Sequence, residues 1–95
     1  MDQGRVFERL LKIASDNSLQ LKFVPFENYY GRLKGDKIGL SIDMDIKKIN
    51  YTLAHELAHY FLHFDKGDTI NSNSHRDFEE QADRAAKMLL AAVAI

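Results

Sequence analysis

His55 and His59 stand four residues apart with Glu56 directly after the first, in the run His55-Glu56-Leu57-Ala58-His59. On an α-helix, residues i and i+4 lie one above the other on the same face, so both imidazoles can reach one tetrahedral ion. Glu56, about 100° round from His55, can lean over the open position of that ion and act as general base toward a water held there. The chemistry this trio supports is metal-assisted hydrolysis, with Zn²⁺ as the expected cofactor. The same spacing also arises by chance, as core histidines satisfied by backbone carbonyls beside a surface glutamate. The surrounding sequence has to separate the two readings.

On a wheel stepped at about 100° from Leu53, the residues His55, His59, Thr52, His63 and Glu56 fall in one arc from about 200° to 300°. Leu57, Phe64, Phe61, Ala54, Ala58 and Leu62 occupy most of the remaining circumference, with Ile49 and Tyr60 closing the other side. A helix apolar on nearly all faces is buried, and buried histidines need partners.

A catalytic zinc site takes three protein ligands, so one more must come from elsewhere. Cysteine is absent, which leaves His, Asp or Glu. The downstream candidates are His63, Asp65, Asp68, His75, Asp77, Glu79, Glu80 and Asp83. His63 is eight residues from His55, about 12 Å along the axis, and fits better as a group behind the ligands or as cleft lining. On the last helix, with Phe78 at 0°, the apolar arc of Leu89, Ala82, Val93, Ala86, Leu90 and Ala85 spans about -20° to 120°. Glu79 at about 100° and Asp83 at about 140° fall inside or at the edge of that arc. A carboxylate pointed inward is costly unless paired or metal-bound, so Glu79 is the preferred ligand and Asp83 the group placed to accept the outer N–H of a ligating histidine. Glu80 as ligand would require the helix to turn by about 100°, exposing Phe78 and Leu89. His75 could swing in from the helix start, as a ligand or on the substrate side.

These residues need elements to hold them. Val6, Leu10, Ile13 and Ala14 repeat at helical spacing before the polar stop Asp16-Asn17-Ser18, which predicts a helix over about residues 3 to 16. Leu19, Leu21 and Phe23 alternate like a strand that Pro25 ends. Tyr29 to Leu33 and Lys37 to Ile42 flank Lys34-Gly35-Asp36, a three-residue connection of hairpin type. Three short antiparallel strands are expected. Asp43 or Asp45 can cap the motif helix, which runs from Ile46 to Phe64 and breaks at Asp65-Lys66-Gly67-Asp68. After a polar linker from Gly67 to Ser74, Ser74 with Asp77 marks the start of a final helix reaching about residue 92. The expected class is α+β, as one domain over residues 1–95.

His55-Glu56-x-x-His59 followed by Glu79-x-x-x-Asp83 looks like the gluzincin pattern of zinc peptidases. More narrowly, Tyr51-Thr52-Leu53-Ala54-His55-Glu56-Leu57-Ala58-His59-Tyr60-Phe61-Leu62-His63 with Glu79-Glu80-Gln81-Ala82-Asp83-Arg84-Ala85-Ala86 resembles the ImmA/IrrE family of bacterial and phage metallopeptidases. The resemblance covers about residues 20 to 90. It implies a minimal zincin-like fold, a cytoplasmic setting, and proteolysis of a helix-turn-helix repressor encoded nearby. By matching positions it makes His55, His59 and Glu79 ligands, Glu56 the base, and Asp83 a support for a ligand. Ala58 stands where the family commonly has Gly, Ala85 where it has Phe, and Ala91-Ala92 where it continues Leu-Leu into Met-Pro. Tyr29, Tyr30, Tyr51, Tyr60, His63 and His75 are the candidates for stabilising a developing oxyanion.

A second class of function is a non-catalytic, metal-containing module that sequesters a repressor without cutting it; Glu56, which structural zinc does not need, argues against it. Ninety-five residues with 45% apolar and 28% charged content suit one globular domain. A net charge of -1 carries no basic footprint, so direct nucleic-acid binding is not expected, and Lys34, Lys37, Lys47 and Lys48 read as a solvated rim. No apolar run approaches the ~18 residues of a membrane span, and the N-terminus is no secretory signal. A cytoplasmic monomer or weak homodimer is expected.

Overall fold

The computed structural model describes residues 2–63 and 75–94. Asp2 opens the first helix, α1 (Gln3–Asp16), by accepting from the Gly4 amide at 2.9 Å. Val6, Leu10 and Ala14 form its buried stripe, one turn apart as their spacing requires. Asn17 closes it, its amide nitrogen and side chain both returning to the Ile13 carbonyl. Ser18 then takes a positive φ of 59°, which swings the chain so that buried Leu19 can bond back to Ala14.

Three strands follow: β1 (Gln20–Val24), β2 (Gly31–Lys34) and β3 (Lys37–Ser41). The hairpin joining β2 to β3 is tighter than expected. Lys34 pairs with Lys37, so its loop is Gly35-Asp36 alone, with Gly35 at φ +60° as a two-residue turn demands. Tyr29 and Tyr30 stand outside β2, although the Tyr30 carbonyl still accepts from Ser41.

The sheet is mixed, which corrects the antiparallel expectation. Its order is β1-β3-β2, with β2 antiparallel to β3 and β1 parallel to it. The reason lies in burial. Ile38 and Leu40 of β3 are fully buried, so β3 takes the centre, while more exposed β1 and β2 take the edges. Placing β1 on the far side of β3 makes the chain cross after Val24, where the Phe26 amide turns back onto the Val24 carbonyl around Pro25. Phe26 then covers Gly39, where an added Cβ would come within 2.9 Å of its ring.

The motif helix α2 (Ile46–His63) is capped by Asp45, whose Oδ1 accepts from the Lys48 amide at 2.8 Å. Leu53, Ala54, Leu57 and Ala58 bury its middle, as the near-continuous apolar wheel anticipates, while Phe61 and Leu62 near its end are exposed. Buried Asn50 ties it to α1 through two bonds to Gln3. The last helix, α3 (His75–Val93), lays Ala82 and Ala86 against α2 with no exposed surface, two small residues that let the helices approach closely. Arg9 of α1 donates to the Val93 carbonyl at 2.6 Å, a cation at the carbonyl end of α3. The break at residues 65–68, the linker and the Ser74 cap lie outside the described residues.

Candidate metal centre

Tyr51, His55 and His59 fall on one stripe of α2 at successive turns, and Glu79 and Asp83 on one stripe of α3. The two stripes face each other. The carboxylate of Glu79 reaches both histidines, Oε2 lying 2.9 Å from His55 Nε2 and Oε1 2.9 Å from His59 Nε2. The two imidazole centroids are 4.8 Å apart at an interplanar angle of 77°. One donor atom from each of His55, His59 and Glu79 lies within 4.8 Å of the others. Three ~2 Å bonds to one tetrahedral ion would set such atoms roughly 3.3 Å apart, so the donors are gathered to the right scale. Glu80, about 100° round the helix from Glu79, is exposed.

The outer nitrogen of His55 supports the same fit. Nδ1 is buried and lies 3.0 Å from Asp83 Oδ1, though off the line a ring N–H would take, and no other partner among the described residues reaches it. A proton placed on Nδ1, toward that carboxylate, would leave Nε2 with a lone pair for an ion. Asp83 also accepts a short hydrogen bond from the Tyr51 hydroxyl. That bond, with His55 beside it, holds the Asp83 carboxyl below its usual range. Burial and the Asp83 carboxylate together push Tyr51 up to about 12.

Glu56 is 7% exposed, so the surface reading of this residue does not hold. Burial pushes its carboxyl up to about 7, His55 pulling it back and the Glu79 charge adding to the rise. What covers it includes β2. A Cβ on Gly31 would come within 2.5 Å of Thr52 Cγ2 and 3.4 Å of Glu56 Cγ. A glycine in a strand often marks such a close approach, and Gly31, the first residue of β2, carries that signal in the sequence.

The other candidates divide. Tyr60 is half-buried with its ring 5.4 Å from that of Phe61, and Tyr29 and Tyr30 are exposed beside the β1–β2 connection. His63 ends α2 and His75 begins α3, with side chains outside the described residues, as are Asp65 and Asp68. Asp77 is exposed.

Against known families, the model of Peptidase_M78, the IrrE N-terminal-like domain, matches residues 17–95. The chain belongs to this family. The match bears out the resemblance carried by the two motif segments and spans every element after α1. The IrrE-like domain here thus comprises the mixed sheet with α2 and α3, and α1 packs on it through Leu10, which has no exposed surface. The family is one of peptidases, and the His55, His59 and Glu79 group could hold a metal ion. No curated protein and no solved structure matches the chain. No described helix is long and apolar enough to cross a membrane.

Proposed function

We propose that this IrrE-like domain is a zinc-dependent metalloendopeptidase that cuts a protein substrate in the cytoplasm, with His55, His59 and Glu79 as ligands and Glu56 as general base. The observation that carries the reading is the gathering of three donors within 4.8 Å beside a buried glutamate that no ligand set requires. When bound, a zinc ion supplies Lewis acidity, polarising a carbonyl and making a water acidic enough to attack it.

The rest falls to the chain's own side chains. His55 and His59 present Nε2, and Glu79 offers both oxygens from the facing helix. Asp83 orients His55 through Nδ1. Glu56, buried beside the three donors, takes the proton of the attacking water and returns it to the leaving amine. The outer edge of β2 runs from Gly31, which packs on Glu56, so an extended peptide added to that edge would be brought to the base. A helix-turn-helix repressor encoded by a neighbouring gene in a phage or mobile element is the substrate that family resemblance supports.

Glu56→Gln separates cutting from holding. Purified wild type and variant, each with its metal content measured, are incubated with the neighbouring repressor. Retained zinc and repressor binding with cleavage abolished is the expected result. Cleavage that survives the substitution unchanged would remove Glu56 as base, and a wild type that binds the repressor without cutting it would make the domain a sequestering module.

A further inference from the structure

We infer that Tyr51 is a positioning residue for the metal site, its hydroxyl holding Asp83 against His55. The inference rests on the metal reading above and adds a member that reading does not contain. Asp83 needs such a hold, because its side chain is 50% exposed and a lone carboxylate there would exchange its contact with His55 for water. Tyr51 lies one turn before His55 on the same helix, its ring 6.2 Å from the imidazole and tilted by 34°. Its hydroxyl donates to Oδ1 of Asp83, the same oxygen that lies 3.0 Å from His55 Nδ1.

Both groups facing that oxygen therefore come from α2 and the acceptor from α3. Asp83 cannot leave His55 without also breaking the phenol bond. Keeping the carboxylate beside Nδ1 favours the His55 proton on that nitrogen, the tautomer that leaves Nε2 to ligate. Removing the hydroxyl alone should weaken metal binding while leaving the ring packing intact. The same commitment withdraws Tyr51 from the candidates for stabilising an oxyanion, since its one proton is directed away to Asp83.

The test is Zn²⁺ affinity, measured by competition with a chromogenic chelator, for wild type, Tyr51→Phe, Asp83→Ala and the double variant. Circular dichroism and melting of the metal-free proteins report the fold. Tyr51→Phe is expected to bind Zn²⁺ about tenfold more weakly with an unchanged spectrum, and to add nothing further in the Asp83→Ala background. Wild-type affinity in Tyr51→Phe, or the same loss persisting without Asp83, would overturn the inference. A wild type that takes up no Zn²⁺ would overturn the metal reading itself, and this inference with it.

Discussion

Gly31 and Glu56 meet where β2 crosses α2: a methyl group on the glycine would stand 3.4 Å from Glu56 Cγ and 2.5 Å from Thr52 Cγ2. The first contact is tight and the second impossible without movement. The edge of the sheet is thereby seated directly on the helix that carries both histidines, with nothing larger than hydrogen between them.

Gly31→Ala should therefore push β2 away from α2. The overpacking is expected to destabilise the protein by about 1–3 kcal/mol, read from chemical denaturation. If Glu56 is the base proposed above, cleavage should fall further than the loss of folded protein explains, because the strand edge and Glu56 separate. Zinc content of the folded fraction should hold, since His55, His59 and Glu79 sit on α2 and α3. A fully stable variant would contradict the close approach.

The register of α3 predicts a contrast between adjacent glutamates. Glu79 faces both histidines at 2.9 Å and Glu80 faces solvent. Glu79→Ala should lower zinc affinity by more than the ~10- to 100-fold typical of losing an outer partner of a ligand, whereas Glu80→Ala should leave it unchanged. Metal analysis of the two purified variants decides it. The reverse pattern would place the other acid at the metal.

Burial of Glu56 predicts a pH dependence in the metal-free protein. Its carboxyl rises from 4.5 to about 7 on folding, so between those values the folded state holds a proton that the unfolded state has lost. Stability therefore falls as pH rises through this window, by ~3 kcal/mol in all. Below it the contribution is fully present. Asp83 acts in the opposite sense and at lower pH: its depressed carboxyl adds stability that is lost as the pH drops below the usual carboxylate range. Melting curves of wild type and Glu56→Gln across pH 4 to 8 should diverge in slope, the variant losing the decline. Equal slopes would mean that Glu56 is solvated. A bound divalent cation favours the carboxylate, so zinc should flatten the wild-type curve.

What could be read from the residues in order was whatever helix geometry makes local. Four-residue spacing puts His55 and His59 on one face wherever the helix lies, and the apolar arc of the last helix sets Glu79 and Asp83 toward its edge, where both face α2 while remaining half-exposed. Helix bounds at residues 3 to 16 and from Ile46 were legible for the same reason, since Asp2, Asp45 and Asn17 act on amides and carbonyls within one turn. The motif segments also carried the family.

Strand order was not legible, because alternation records which face a strand buries and not which neighbour it pairs with. The tertiary structure made the sheet mixed by giving its centre to β3, the strand with the most to bury. It decided, too, that Tyr51 bonds Asp83 and that Gly31 touches the helix beside Glu56, contacts spanning 32 and 25 positions of the chain. The spacing of residues names a chemistry because a helix repeats every turn; which side chains hold that chemistry in place depends on how distant segments pack.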